Sequence, residues 1–275
     1  SETGNVELEE RLREAAGDMP YTGPNGLGIY SGSLNTFFIA DTIAAYPDTG
    51  GSVGLFSQSG GLCLESFCEF LFAHRVPVNE VLSLGNGSGM SFTEILNSVA
   101  DNEDVKLTVI HLEGGLKEGE GLEFIKAMKK ATKVKPVIVL PAGLSEKGRK
   151  TAASHTGRMT GGADALMAAL KQGGAIVADS EEQTRLALWM ICTMPRATGK
   201  AVILTTGGGK GVLATDLAER VGLELREKMP PEFSEAVRPS MPSFADPTQN
   251  PFDFTGSVTL DGMLAILEHA KVLNS

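Results

Sequence analysis

A histidine set among small and basic residues is the strongest chemical feature of this sequence. His155 lies in KTAASHTGRMTGGADAL, residues 150–166, beside small polar residues rather than the large apolar neighbours of a typical core histidine. Positive potential favours a neutral, nucleophilic imidazole and attracts a phosphoryl group. A solvated surface loop is the alternative, but we interpret the segment as a basic loop that follows a strand end, where a ligand site is expected. Four basic residues surround the histidine in a chain with a net charge of −10: Lys147, Arg149, Lys150 and Arg158.

One carboxylate is a candidate partner for that histidine. Glu113 follows the apolar run KLTVIHL, residues 106–112, and precedes two glycines. A carboxylate at a strand end could hydrogen-bond one ring nitrogen of a histidine and leave the other nitrogen free to attack. The alternative is a loop carboxylate that faces water. We interpret the remaining histidines, His74, His111 and His269, as structural.

Three glycine-rich turns follow predicted strands. The first turn is SQSGG, residues 57–61, and the second turn is TTGGGKG, residues 205–211. Each opens into a predicted helix, whose first N–H groups lack partners and whose dipole attracts anions. Neither matches a P-loop or a Rossmann fingerprint, and a tight turn with a helix cap is the alternative for both. The third turn, GNGSG at residues 85–89, is a weaker candidate that could be only a flexible loop.

The chain around these residues alternates short β-branched runs with amphipathic segments. This pattern predicts an α/β fold in which open parallel sheets are covered by helices on both faces. Strands are predicted at 52–56, 80–84, 106–112, 135–141, 174–178 and 200–206. Helices are predicted near 61–74, 91–99, 121–132, 162–172, 180–193, 211–221 and 260–272.

Domain boundaries are suggested by composition. Residues 1–18 form a lone acidic helix with no strand before it. Because CTMPRATGK, residues 192–200, combines Pro, Gly and basic residues after a long helix, we divide the rest into domains at 19–195 and 196–275. The proline-dense segment at 228–256 is interpreted as a connection, and a final helix has no strand after it. We therefore expect a partial second domain in a chain cut from something longer.

Bulk composition excludes several classes of partner. A pI near 5.0 argues against a nucleic-acid surface, because phosphate backbones need concentrated Lys and Arg. No apolar run approaches the roughly 20 residues of a membrane span, and the N-terminus is unlike a signal peptide. The three cysteines, Cys63, Cys68 and Cys192, have no metal-ligand spacing and are predicted to be buried thiols. We expect a cytoplasmic protein with no membrane partner.

The motifs together resemble those of the NDP-forming acyl-CoA synthetases, the family that includes succinyl-CoA synthetase and the ADP-forming acetyl-CoA synthetases. The similarity runs over nearly the whole chain in the order of the family's α-type chain. It implies two flavodoxin-like, succinyl-CoA synthetase-type domains. The matching segments are GPNGLG (23–28), GLFSQSGGL (54–62), HLEGG (111–115), KPVIVLPAGLSEKGRKTAASHTG (135–157) and AVILTTGGGKGVLATD (201–216).

The resemblance also implies roles for single residues. His155 would become phosphorylated and carry a phosphoryl group between an acyl phosphate and a nucleoside diphosphate, with Glu113 orienting it. Small neighbours would let His155 ride on a mobile loop and insert between two helix N-termini. The implied phosphate-binding residues are Ser57, Gln58, Ser59, Gly60, Gly61, Ser154, Thr156, Gly157, Thr206, Gly207, Gly208 and Gly209.

The implied reaction converts a carboxylic acid, CoA and ATP into acyl-CoA, ADP and phosphate, or the reverse. CoA, nucleotide and Mg²⁺ would be substrates, with no tightly bound cofactor and no metal site. The helix at 1–18 would remain from a CoA-binding domain, and Gly26 stands where the family commonly has Cys. An ATP-grasp domain or a β-type subunit would be the partner in an oligomer, so the chain alone is not expected to be fully active.

Two alternatives belong to other classes. One is a non-catalytic homologue that binds acyl-CoA or phosphate as a regulatory or interaction module. The presence of His155, Glu113 and both glycine turns together argues against it. The other is a flavodoxin-like nucleotide binder, which would need a Mg²⁺ carboxylate cluster or aromatic residues beside the turns. With one Trp and three Tyr, none next to a glycine turn, the sequence does not favour it.

Overall fold

Strands and helices alternate along the chain, as the sequence pattern predicts. The computed structural model describes residues 5–31, 34–36, 51–113, 116, 119–156, 162–194 and 199–274. The chain divides into two compact units, Ser1–Pro195 and Arg196–Ser275. Among the residues described, no helix combines the length and the apolar character needed to cross a membrane.

The first unit is built on a seven-stranded sheet in the order β2-β1-β4-β3-β5-β6-β7. The five strands β4-β3-β5-β6-β7 pair in parallel, and β1 is antiparallel to both of its neighbours. Counted along the chain, the parallel strands stand in the order 2-1-3-4-5, which is the flavodoxin-like order. The predicted fold class is therefore confirmed. The strands are β1 (Gly28–Ser31), β2 (Leu34–Asn35), β3 (Val53–Ser57), β4 (Val78–Ser83), β5 (Leu107–Glu113), β6 (Val137–Ala142) and β7 (Ile176–Val177).

Helices cover both faces of this sheet, so the central strands are buried on both sides. Along β3, Leu55 packs into one apolar cluster and Phe56 into the other. Strands buried in this way read as continuous apolar runs, which is why they were visible in the sequence. Helix α2 has a π-helical part, Leu62–Cys68, followed by an α-helical part, Glu69–Ala73. The other helices of the unit are α1 (Val6–Ala16), α3 (Phe92–Asp101), α4 (Gly121–Thr132), α5 (Glu146–Thr156), α6 (Ala163–Gln172) and α7 (Glu181–Thr193).

Helix α3 illustrates how local chemistry sets the ends of an element. Ser91 and Glu94 form a capping box, in which the Ser91 hydroxyl accepts from the Glu94 amide and the Glu94 carboxylate accepts from the Ser91 amide. At the other end, the buried Lys135 ammonium donates to the carbonyls of Val99 and Asn102. The lysine side chain thus adds a donor to the last carbonyls of the helix, of which that of Val99 also accepts from the Asn102 backbone amide.

The second unit contains the parallel pair β8 (Leu204–Thr205) and β9 (Phe252–Asp253). Its helices are α8 (Gly208–Arg220), α9 (Pro231–Val237) and α10 (Leu260–His269). Asn250 joins the unit's backbone segments: its amide donates to the carbonyls of Ala201 and Arg226, at 3.2 and 2.7 Å, and its oxygen accepts from the Ile203 amide at 2.8 Å. The Asn250 side chain therefore makes hydrogen bonds to backbone groups of the kind that paired strands make in a sheet.

Several elements differ from the sequence expectation. The strands predicted at 174–178 and 200–206 are each only two residues long. The proline-dense connection contains helix α9, which starts at Pro231; proline is favoured at the first helical position, and Phe233 and Val237, four residues apart, are buried in the core of the unit. The short antiparallel pair β1–β2 was not predicted, because strands of four and two residues carry little periodic signal.

Candidate functional site

The carboxyl ends of β3 and β5 form the topological switch point of the first sheet. Chain connections leave these two adjacent strands in opposite directions, and ligands of open α/β sheets bind in the crevice beyond such strand ends. Ser57, the last residue of β3, pairs in register with His111, two residues before Glu113. The fold therefore brings the first turn and Glu113 to the same place, although the sequence separates them by more than fifty residues.

The first turn presents backbone rather than side chains. Ser57 is fully buried and its hydroxyl donates to the Ser59 carbonyl at 2.7 Å. The Ser59 hydroxyl accepts from the Leu62 amide at 3.4 Å, as a helix cap does. A Cβ atom on Gly60 would lie 2.6 Å from Cγ of Leu27, so a side chain at this position would require Leu27 to move. A Cβ atom on Gly61 would meet nothing within 4 Å, so an anion can approach the start of α2 on this side.

Gln58 joins the first turn to Glu113. The Gln58 backbone amide donates to the His111 carbonyl at 3.3 Å, and the Glu113 backbone amide donates to the Gln58 side-chain oxygen. The Glu113 side chain is half-buried. The predicted residues Ser57, Gln58, Ser59, Gly60, Gly61 and Glu113 are therefore brought together at one strand end.

The third turn is a packed wall of this site, so the flexible-loop interpretation is wrong. Asn86 and Ser88 are buried, the Asn86 amide donates to the Pro24 carbonyl at 2.9 Å, and the Ser88 hydroxyl donates to the Gly23 carbonyl at 2.9 Å. Gly87 has a φ of 64°, and a Cβ atom there would lie 3.2 Å from the side-chain nitrogen of Gln58. Glycine is favoured at position 87 because the backbone there is in the left-handed region and lies close to the Gln58 side chain.

The third turn also contacts helix α1. The Asn86 side chain donates to the carboxyl group of Glu9, which is buried. The Asn25 amide donates to the Asn86 oxygen at 3.0 Å. These bonds attach the first helix of the chain to the loop that lines the site, as buried polar groups require partners.

His111 is the residue of this site that sequence reasoning missed. Its Nδ1 lies 3.4 Å from Oγ of Ser57, and its side chain is only 1% exposed. Burial lowers the pKa of the imidazole to about 4, so the ring is neutral near pH 7. The available signal was a lone polar residue within the apolar run KLTVIHL, close to a predicted strand end.

The segment predicted as a basic loop is helical from Glu146 to Thr156, and the predicted mobility of His155 stays a prediction. The Ser145 hydroxyl accepts from the Gly148 amide at 3.0 Å at the start of the helix. Glu146 and Lys150 form an i,i+4 ion pair at 3.0 Å, the spacing that supports a helix. The Arg149 guanidinium donates to the Leu144 carbonyl at 2.9 Å. Local caps and pairs therefore outweigh Gly148 and the small polar residues that suggested a loop.

His155 lies in the last turn of α5. Lys147, Arg149 and Lys150 lie on the same helix, and Arg158 lies outside the described residues. The structure does not describe the side chains of Ser154, His155 and Thr156, and Gly157 lies outside the described residues. The contact between His155 and Glu113 stays a prediction.

The second turn ends β8 and begins α8. The Thr205 hydroxyl donates to the Gly207 carbonyl at 3.2 Å, Thr206 is exposed, and Gly208 and Gly209 form the first helical turn. A cavity of about 280 Å³ lies here. Its lining includes Thr205, Gly208, Gly211, Thr215 and Asp253. An Asp253 carboxylate oxygen would lie 3.3 Å from a Cβ on Gly208, so a negative charge already stands near this helix N-terminus.

The cysteines do not form a reactive centre. Cys63 and Cys68 are buried as predicted, whereas Cys192 is only half-buried. The hydrogen bond to Cys68, together with burial, raises the pKa of the Cys63 thiol well above its usual value. Over the ranges that the structure describes, no group of three or more His, Cys, Asp or Glu side chains is arranged to hold a metal ion.

Comparison with known proteins agrees with the motifs. The profile of the family described as "Succinyl-CoA ligase like flavodoxin domain" matches residues 50–189, about half of the chain. An acetate–CoA ligase (ADP-forming) of Methanocaldococcus jannaschii is 32% identical over 265 residues, which are 94% of this chain and 36% of that protein. The acetate–CoA ligase (ADP-forming) I subunit alpha of Pyrococcus furiosus is 34% identical over 255 residues, which are 90% of this chain and 52% of that subunit.

A solved structure is similar throughout. The dinucleotide forming acetyl-coenzyme A synthetase 1 of Ca. Korarchaeum cryptofilum, determined in complex with phosphate and ADP, has a TM-score of 0.81 and 28% sequence identity. The similarity covers 99% of this chain and 65% of that one. The chain therefore spans about one third to two thirds of the length of these relatives. By its matched domain, the chain belongs to the family of the succinyl-CoA ligase like flavodoxin domain.

Proposed function

We propose that this chain is the phosphohistidine-carrying portion of an NDP-forming acyl-CoA synthetase. The main support for the proposal is that the first turn is hydrogen-bonded to Glu113, at the end of β5, at the switch point of the sheet. The names of the ADP-forming acetate–CoA ligases support the reaction class. The whole reaction converts a carboxylic acid, CoA and ATP into acyl-CoA, ADP and phosphate, or runs in reverse, in the cytoplasm.

His155 would take part in two steps. In the direction that forms ATP, phosphate displaces CoA from the acyl-CoA to give an acyl phosphate, and the first step at His155 transfers the phosphoryl group from this acyl phosphate to the ring. The phosphorus–oxygen bond to the acyl group breaks, the carboxylate leaves, and a phosphorus–nitrogen bond forms to one ring nitrogen. The Glu113 carboxylate holds the proton of the other ring nitrogen, which keeps the attacking nitrogen unprotonated. The first turn binds the phosphoryl oxygens through backbone amides, and the α2 dipole contributes about 0.3–2 kcal/mol. Ser154, Thr156 and Gly157 would complete the contacts around the phosphorylated ring.

The second step passes the phosphoryl group to a nucleoside diphosphate. The phosphorus–nitrogen bond breaks as the terminal diphosphate oxygen attacks, and the ring nitrogen regains its lone pair. Mg²⁺ and the nucleotide would be bound by an ATP-grasp domain or a β-type partner, and the second turn would receive the phosphohistidine. Because phosphoryl transfer depends mainly on positioning and electrostatics, two prepared turns could serve both steps.

Phosphoryl uptake tests this proposal. We would incubate the full-length protein, with its ATP-grasp partner where that is a separate chain, with Mg-ATP and measure intact mass. Wild type should gain one acid-labile phosphoryl group per chain, the His155→Ala variant should gain none, and Glu113→Gln should gain it far more slowly. His74→Gln is the matched control, since His74 is an exposed histidine at the end of α2, away from the predicted site residues.

Two results would contradict the proposal. One is no phosphoryl gain by wild type under conditions in which the nucleotide is shown to bind, which would favour the regulatory homologue. The other is a label that survives acid or persists in His155→Ala, because a phosphohistidine at this position can do neither. If the Glu113→Gln variant took up the phosphoryl group at the wild-type rate, Glu113 would not be the residue that orients His155.

A further inference from the structure

Ser57 and His111 form a buried hydrogen-bond chain beneath the first turn. The two residues are directly opposite in the parallel pair β3–β5, and both side chains are almost fully inaccessible. The Ser57 hydroxyl donates to the Ser59 carbonyl at 2.7 Å, and its oxygen lies 3.4 Å from Nδ1 of His111. A hydroxyl has one hydrogen. If that hydrogen is given to Ser59, the oxygen can only accept from His111, so Nδ1 must carry the proton.

The surroundings of the ring keep it neutral. His111 shares a sheet face with Leu107 and Val109, which pack into the apolar cluster under α2 and α7. Burial is the cause of the lowered imidazole pKa. The titratable side chains on this face include the phenol of Tyr30, the thiols of Cys63, Cys68 and Cys192, and the carboxyl of Glu113, two residues further along β5. A neutral imidazole has one N–H, and the bond to Ser57 determines which nitrogen holds it.

The backbone of His111 contacts the same turn. Its carbonyl accepts from the Gln58 amide at 3.3 Å, while the Gln58 side chain accepts from the Glu113 amide. One residue of β5 is therefore bonded to the turn through both its side chain and its main chain. Any shift of His111 would move the first turn relative to Glu113.

We infer that His111 is a positioning residue for phosphoryl transfer: in its Nδ1–H form it holds Ser57, and through Ser57 it fixes the first turn relative to Glu113. The role in transfer rests on the proposed function, whereas the hydrogen-bond chain does not. Displacement of a catalytic group by about 1 Å can reduce a rate on the order of 100-fold. We therefore expect a rate effect of about 10-fold or more on phosphohistidine formation, without a change in the KM for ATP.

Three variants of the full-length protein test the inference. His111→Phe keeps a ring of similar size without an N–H, His111→Asn restores an amide N–H near the position of Nδ1, and Ser57→Ala removes the acceptor. We expect His111→Phe and Ser57→Ala to slow phosphohistidine formation from Mg-ATP by similar factors, with no further loss in the double variant. His111→Asn should recover most of the rate, and the KM for ATP should stay unchanged in all variants that remain folded by circular dichroism.

Other kinetic results would overturn the role. A His111→Phe variant that is phosphorylated at the wild-type rate excludes it. Multiplicative losses in the double variant would mean that His111 and Ser57 act independently. A folded His111→Asn variant as slow as His111→Phe would mean that ring volume, not the N–H, matters.

A readout that needs no activity separates this inference from the proposed function. In ¹⁵N-edited NMR of histidine-labelled protein, the ring of His111 should carry its proton on Nδ1, and backbone amides 58–63 should exchange faster in Ser57→Ala and His111→Phe. A proton on Nε2 would overturn the inference even if His155 is phosphorylated. Conversely, an Nδ1 proton and protected amides in a protein that takes up no phosphoryl group would support the hydrogen-bond chain and refute the function.

Discussion

The stability of the first unit should fall in weak acid because His111 is buried as a neutral ring. The folded pKa is about 4, whereas an exposed histidine has a pKa of 6.5. Between these values the unfolded chain binds a proton at this residue and the folded chain does not, so lowering the pH favours unfolding. Stability from this group is fully present above pH 6.5 and is lost progressively down to about pH 4. At about 1.4 kcal/mol for each pKa unit, the full loss is about 3 kcal/mol.

The single tryptophan, Trp189 in α7, reports on this unit. We would measure the free energy of unfolding of the full chain by urea titration of Trp189 fluorescence at pH 7.5 and pH 4.5, in wild type and in His111→Phe. Most of the 3 kcal/mol should be lost over this range in wild type and absent from the variant, since other titrating groups are common to both. Equal pH dependence in the two proteins would show that the ring is not buried as a neutral group.

Three further substitutions, the first with a matched control, test specific contacts. Gly60→Ala should lower the free energy of unfolding by about 1–3 kcal/mol in urea titrations, because its Cβ would overlap the Leu27 side chain. The control is Gly61→Ala, whose Cβ faces open space and which should change that free energy by less than about 0.5 kcal/mol. Lys135→Met should cost about 1–3 kcal/mol in the same titration by removing one donor from each of two carbonyls at the end of α3. Asn250→Ala should accelerate hydrogen exchange of the Ile203 amide at least tenfold, and unchanged exchange would show that its three bonds contribute little.

The elements that carry the candidate site could be predicted from sequence because they are buried. The strands ending at Ser57 and Glu113 are covered on both faces, so their residues form mostly apolar runs followed by glycine turns. Parallel pairing of adjacent strands then requires their carboxyl ends to share one edge. Neither step needs knowledge of contacts distant in sequence.

The role of His111 could not be predicted in this way. Its partner Ser57 is 54 residues away, and a histidine in an apolar strand is most simply a satisfied core residue. Only the in-register pairing of β3 with β5 places the two side chains side by side on the same sheet face. Helix α5, in contrast, is stabilised by local features, the Ser145 cap and the Glu146–Lys150 ion pair. It was not predicted because the small residues near His155 were given more weight than these features.

The two glycine turns share a local design but differ in charge. In each, the hydroxyl of the last strand residue donates to the carbonyl two residues later, from Ser57 to Ser59 and from Thr205 to Gly207. The residue opposite that hydroxyl on the neighbouring parallel strand is neutral His111 in the first turn and Asp253 in the second. A carboxylate near a helix N-terminus already interacts with the positive end of the dipole and repels a second anion. An incoming anion at the second turn must therefore overcome or displace the charge of Asp253, whereas at the first turn the nearest carboxylate on the neighbouring strand is Glu113, two residues beyond His111 on β5.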